Sequence, residues 1–352
     1  MGSIAQRIFP MATLAIAAVV QPASAQQTIK IGAVLPLSGS NAQFGINIRN
    51  GLELALADVN AAGGIKSLGG AKVEIVYADV PSPNAAAAAT QRLISHDKVV
   101  GIVGSFVSSI TLAVSEVTER AGIPMLTHSF ADQITERGYK YIFQVSPKAS
   151  RFGQDQLGYA VAVGKRAGTD VKKIAILYED TAYGTAQAKG LRDAAQKTGI
   201  DVVVDEGYPL GVTDVAPLIN KVRASGAQVV FPVSYFNDAV LILVKMRQQR
   251  VDLPAIGGAA GYIIPEFEKA LGESVEGVFS IAPANYDAAP EIEARYRGKF
   301  GNFPPHESLM YPAGFEHLVR AIEVAKSTSQ NSRAPGALPL HTTAQREFCE
   351  RL

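Results

Sequence analysis

The chain has 352 residues, 47% of them hydrophobic and 18% charged, with 33 basic against 32 acidic side chains. That length and balance suit a globular protein with two cores, and a net charge near zero argues against nucleic acid, whose binding rests on clustered basic charge. One cysteine, Cys349, excludes an internal disulfide and a cysteine-built zinc cluster.

Residues 1–25 stand apart. Arg7 is their only charge, Phe9 to Val20 is apolar, and Ala23-Ser24-Ala25 puts small residues where signal peptidase needs them. This predicts a secretory signal whose apolar stretch falls short of the roughly 20 residues of a membrane span. The product is then expected in the periplasm.

Thr28 to Leu35 reads as a strand, Pro36 to Asn41 as a turn, and Ile46, Ile48, Leu52, Leu54, Ala55, Leu56 and Val59 as the apolar face of a long helix stopped at Gly63-Gly64. Lys72 to Ala78 alternates as a strand, and Ala85 to Ile94 has high helix propensity. Val99 to Val103 is short and rich in β-branched residues, the pattern of a buried parallel strand. Gly104 breaks it. Ser105, Ser108 and Ser109 then precede a helical spacing at Ile110, Leu112, Ala113, Val114 and Val117 that closes at Gly122-Ile123-Pro124. A helix N-terminus offers unpaired N–H groups and about half a positive charge, so serines there can hold a carboxylate or phosphate without a basic side chain. The same serines equally suit plain helix capping. Met125 to Thr127 repeats the unit, entering the loop His128 to Asp132.

Tyr141 to Pro147 starts apolar and ends in proline, and the strand and helix rhythm then restarts, which places a hinge there. Lys173 to Tyr178, Asp201 to Val204, Gln228 to Phe231 and Ala255 to Gly257 read as strands. Helices are expected near Tyr183 to Lys197, Val215 to Ala224 and Asn237 to Gln249. Val278 to Pro283 reads as a strand crossing back, followed by helices near Glu291 to Lys299 and Ser308 to Lys326. The expected fold is α/β, with two doubly wound Rossmann-like lobes: residues 26–146 with 283–330 as the first, and 147–282 as the second. In such sheets ligands sit beyond the carboxyl ends of the strands. The cleft between the lobes would therefore be lined by Ser38, Gln43, Phe44, Ser105 to Ser109, Thr127 to Asp132, Tyr183, Tyr235, Phe236 and Gly257 to Tyr262. Hydroxyls and aromatics suit a small ligand with one anionic end and an apolar body.

No GxxxxGK, GxGxxG or GxSxG occurs, and His306-Glu307-Ser308-Leu309-Met310 stops one histidine short of HExxH. No catalytic residue, metal or cofactor is expected. His128 is the one histidine at a strand end, either touching ligand or satisfied within its loop, and Glu179-Asp180 reads as a cleft-mouth pair.

IKIGAVLPLSGSNAQFG, DVNAAGGI, KVEIVYAD, the GSFVSS turn, AGIPMLT, ERGYKYIFQVSP and LYEDTAYGTAQAKG, in that order, resemble the periplasmic binding proteins of branched-chain-amino-acid-type ABC importers from about Ile29 to Lys326. The resemblance implies a two-lobed clamshell, acting as a monomer, that captures a solute and delivers it to an ABC permease in the inner membrane. It implies that Ser108 and Ser109 lie at the ligand carboxylate and that the main-chain carbonyl of Ser129 completes that pocket. Phe44, Tyr183 and Tyr235 would be its aromatic walls. Two positions depart: Ala131 stands where amino-acid binders of this family have a threonine, and Gly258-Ala259-Ala260 where they have an acidic residue. Both side chains hold the ligand ammonium there, so a small carboxylate without an ammonium group becomes a credible ligand beside a branched-chain amino acid. Members also continue past Lys326 through further strands, so residues 331–352 read as an aberrant or disordered tail, and the carboxyl-terminal part as incomplete. A secreted two-lobed sensor and a two-lobed enzyme are the alternative readings.

Overall fold

The computed structural model describes residues 28–283 and 290–328. The predicted signal and the 331–352 tail lie outside the described residues.

The first lobe runs β1 (Thr28–Leu35), α1 (Ala42–Ala61), β2 (Lys72–Asp79), α2 (Pro83–Ser95), β3 (Ile102–Gly104), α3 (Ser108–Ala121), β4 (Met125–Thr127), α4 (Gln133–Glu136) and β5 (Ile142–Gln144). The second runs α5 (Ala149–Arg166), β6 (Lys173–Glu179), α6 (Ala182–Thr198), β7 (Asp201–Tyr208), α7 (Ala216–Ser225), β8 (Val229–Val233), α8 (Phe236–Gln248), β9 (Ala255–Gly257), α9 (Ala259–Tyr262), α10 (Pro265–Leu271) and β10 (Val278–Ser280). Two helices follow, α11 (Pro290–Phe300) and α12 (His306–Ala325).

Both sheets are parallel and five-stranded, ordered β2-β1-β3-β4-β5 and β10-β9-β8-β6-β7. Counted from its own first strand each is the 2-1-3-4-5 doubly wound order, so each lobe has a switch point where successive connections diverge. Those points lie between β1 and β3 and between β6 and β8. The strands are buried on both faces, as continuous runs such as Ile102-Val103-Gly104 and Val229 to Val233 require.

Five elements differ from expectation. Val99 to Gly101 is not yet strand; Val100 N donates to Lys30 O before the ladder proper begins at Ile102. Helix α5 was not among the expected helices; its buried stripe Ala149, Phe152, Gly153, Leu157 and Ala160 includes one polar side chain, Gln156. Helices α9 and α10 are short inserts after β9. The strand expected to cross back instead ends at Ser280 as the edge of the second sheet, parallel to β9. Helix α12 returns to the first lobe, packing on α1, β3 and β4, and Arg295 of α11 makes a two-point ion pair with Asp58 of α1 at 2.7 and 2.8 Å.

Candidate functional site

The two switch points face each other, and each lobe brings the same local unit to the interface. After its first strand comes a helix opening with an aromatic residue and glycine, Phe44-Gly45 in α1 and Tyr183-Gly184 in α6. A Cβ on Gly45 would come 2.1 Å from the Pro36 carbonyl oxygen, and one on Gly184 would come 1.9 Å from that of Glu179. Only glycine lets these helices fold so tightly over the strand ends. After the third strand of each lobe comes Ser108 or Tyr235.

Helix α3 begins at Ser108 and its N-cap is Val107, so neither Ser108 nor Ser109 caps it. The Ser108 side chain, 1% exposed, instead reaches the loop after β4: Ala131 N donates to Ser108 Oγ at 3.2 Å. From the other lobe, Tyr235 Oη accepts from Ser108 N at 3.4 Å. Each hydroxyl oxygen thus accepts from a backbone amide, and each keeps its own proton to donate. Burial holds the Tyr235 phenol well above its ordinary pKa, so that proton stays in place. Two O–H donors beside a helix N-terminus are the groups that an anion would need. Ser109 is partly buried, one residue further into α3.

Around that point lies a closed set of rings. Phe44 and Phe106 stack at 4.2 Å between centroids, and Tyr235 approaches them edgewise at 6.4 and 6.2 Å. Tyr183 lies 5.3 Å from Tyr235, while Phe130 of the first lobe meets Phe152 at 5.6 Å and Tyr183 at 6.2 Å. All six are buried, at 0 to 5% exposure. Such pairs contribute about 0.5–1.5 kcal/mol each beyond the area they bury. Phe106 is held there with φ of 72°, a left-handed backbone that costs a non-glycine residue about 1–2 kcal/mol; its amide donates to Tyr311 Oη of α12 at 2.7 Å.

The acidic groups near the cleft are otherwise engaged. Glu179 is fully buried rather than at the cleft mouth; its carboxylate accepts from Thr181 N at 2.8 Å and Gly184 N at 2.6 Å, anchoring the start of α6, while Asp180 is exposed. Burial raises the Glu179 pKa, and the two amides partly oppose that rise. Asp132 accepts from Ser150 N at 3.0 Å and from the Ser150 hydroxyl, anchoring the start of α5. Glu307 of α12 accepts from Asn47 Nδ2 at 2.8 Å and lies 2.9 Å from His306 Nδ1, whose ring centroid is 6.2 Å from that of Phe106 and 6.5 Å from that of Phe130.

Ser129 is a positioning residue and does not offer its carbonyl to the cleft. That oxygen accepts from Gln144 Nε2 at 2.8 Å and Ser146 Oγ at 2.9 Å, and Ser129 Oγ pairs with Thr111 Oγ1 at 2.6 Å. Both carbonyl lone pairs are used. Ala131 is fully buried and contributes its amide. Ala259 starts α9, directly after the Gly258 that follows β9. His128 packs edgewise on Tyr311 at 5.2 Å rather than among the six rings, and burial lowers its pKa to about 3. Phe106, Phe130, Phe152 and His306 join the same ring cluster. Phe106 and Phe130 lie inside the GSFVSS and HSFAD strand-end stretches, whereas Phe152 comes from α5 and His306 from the start of α12, where neither follows a strand end. Among the described residues no three histidine, cysteine, aspartate or glutamate side chains are placed to share a metal ion.

Comparison with known proteins extends these findings. A family model for periplasmic binding proteins matches residues 28–336. A Leu/Ile/Val-binding protein homolog of Brucella abortus (strain 2308) is 36% identical over 312 residues, covering 85% of this chain and 77% of that protein. Among solved structures, a branched-chain amino acid transporter substrate-binding protein of Streptococcus pneumoniae in complex with isoleucine superposes with a TM-score of 0.74 at 27% identity, covering 87% of this chain and 86% of the other. An ABC transporter solute-binding protein of R. palustris in complex with 4-hydroxybenzoate gives a TM-score of 0.76 at 22% identity, over 87% and 83%.

Proposed function

From the premise that the chain belongs to the periplasmic binding protein family, we propose that it is the extracytoplasmic solute-binding component of an ABC importer, and that its solute is an aromatic carboxylate without an α-ammonium group. In this reading the 1–25 signal exports the chain to the periplasm. The monomer then closes its lobes, 26–146 with 283–330 and 147–282, on the solute and presents it unchanged to the permease.

The observation that carries the choice of solute is the pairing of donors with rings. Ser108 Oγ and Tyr235 Oη each retain a proton to give to an anion, and six aromatic side chains surround them. An α-ammonium group would need an acidic partner, and Glu179 and Asp132 are bound to backbone amides while one oxygen of Glu307 accepts from Asn47 and the other lies 2.9 Å from His306 Nδ1. A buried ammonium without such a partner is excluded by its desolvation cost. The solved relative that binds 4-hydroxybenzoate shares the fold and lends the reading a precedent.

A branched-chain amino acid is the second reading, favoured by the Brucella relative and by the isoleucine complex. Isothermal titration of the mature protein with benzoate, 4-hydroxybenzoate, leucine, isoleucine and valine separates the two. Heat from an aromatic acid and none from the amino acids is the expected result; the reverse replaces the first reading with the second.

A further inference from the structure

Gln187, one turn beyond Tyr183 on α6, is fully buried, and its amide ends a one-way hydrogen-bond chain. The Ile256 carbonyl can only accept, and it does so from Gln156 Nε2 at 2.7 Å. Gln156 Oε1 is then left to accept from Gln187 Nε2 at 2.5 Å. The orientation of both amides follows from that carbonyl, because reversing either would set two donors or two acceptors against each other. What the chain presents at its far end is an acceptor, Gln187 Oε1, and among the described residues no donor reaches it. Buried acceptors are rarely left without a partner in native proteins.

The amide that carries this acceptor lies beside the ring cluster. A Cβ on Gly258 would come 2.7 Å from Gln187 Nε2, 3.3 Å from the Tyr183 hydroxyl and 3.4 Å from the Phe152 ring, so the three converge just past the carboxyl end of β9. Tyr183 and Phe152 are the rings that meet Phe130 across the cleft.

Resting on the reading above, we propose that Gln187 Oε1 accepts a hydrogen bond from a hydroxyl carried on the solute ring, and so selects hydroxylated over unsubstituted aromatic acids. Gln156 is a positioning residue: it fixes which end of the Gln187 amide faces the solute. A neutral O–H matches a single neutral acceptor, whereas an ammonium would bring a charge and three donors to one oxygen.

Titration calorimetry of the full chain with benzoate, 3-hydroxybenzoate and 4-hydroxybenzoate tests this. One hydroxybenzoate should bind about tenfold more tightly than benzoate in the wild type, and Gln187→Met should bring that ratio close to one. Equal binding of all three acids by the wild type overturns the inference and leaves the reading beneath it standing. A ratio that survives in Gln187→Met overturns it likewise, and binding of none of the three removes both. If Gln187→Met does not fold, a crystal structure of the wild type with the tighter acid decides. The hydroxyl within hydrogen-bond distance of Gln187 Oε1 supports the assignment; a water there instead, with the hydroxyl elsewhere, refutes it.

Discussion

The Tyr235 hydroxyl of the second lobe accepts from the Ser108 amide of the first at 3.4 Å, so the third-strand loops of the two sheets meet at one donor-rich point. Neither lobe alone builds that point. Removing either hydroxyl should weaken carboxylate binding by ~1.5–3 kcal/mol, because a charged acceptor loses a donor. Ser108→Ala and Tyr235→Phe, titrated against the solute found to bind, check this; affinity unchanged in both variants would move the carboxylate elsewhere.

Phe106 combines a stacked ring with a left-handed backbone, and its variants separate the two effects. Phe106→Ala should destabilise the protein by about 3 kcal/mol through the lost ring, and weaken the solute by tenfold or more. Phe106→Gly loses the same ring but relieves the φ of 72°. It should therefore be about 1 kcal/mol more stable than Phe106→Ala in urea denaturation, the reverse of the usual order for these two residues.

Glu179 is assigned to holding α6 and not to holding solute. Glu179→Ala leaves the buried Gly184 amide and the half-buried Thr181 amide without their acceptor and should cost about 2–4 kcal/mol, whereas Glu179→Gln keeps one acceptor oxygen and should cost about half as much. Neither change should alter the order in which solutes are preferred. A switch of preference toward ammonium-free acids in Glu179→Gln would show that the carboxylate serves an ammonium after all.

His128 gives stability a pH dependence of known sign. Its folded pKa is lowered to about 3 by burial, with the His306 and His317 charges adding to the effect. The unfolded chain takes up the proton near pH 6.5 and the folded protein does not. Stability from this group is therefore complete above pH 6.5 and is lost as pH falls toward 3. Unfolding free energies measured at pH 7 and pH 5 should differ by about 2 kcal/mol less in His128→Gln than in the wild type.

Much of this was readable from residue order. The buried runs at β1, β3, β6 and β8 and the helical faces of α1, α3, α6 and α8 follow from apolar spacing, which local backbone geometry imposes directly. Because strand and helix alternate, the parallel sheets follow too, and with them the meeting of Ser108, Phe44, Tyr183 and Tyr235 at the carboxyl ends of the strands. The family likeness rested on the same stretches in the same order. What depended on three-dimensional proximity was not readable. That Gln156 of α5 sits inside was not readable, since a glutamine is tolerated there only because Ile256 and Gln187, 100 and 31 residues away, satisfy it. Whether Glu179 and Asp132 would face a solute or a helix end turned on hydrogen-bond geometry that no spacing encodes. Likeness assigns the Ser129 carbonyl to the cleft, yet Gln144 of β5 and Ser146 just beyond it claim it. Sequence periodicity sets which faces are buried, since that is a property of each element alone; which buried polar atoms remain free for a solute is decided only when the elements pack and the near partners have taken their share.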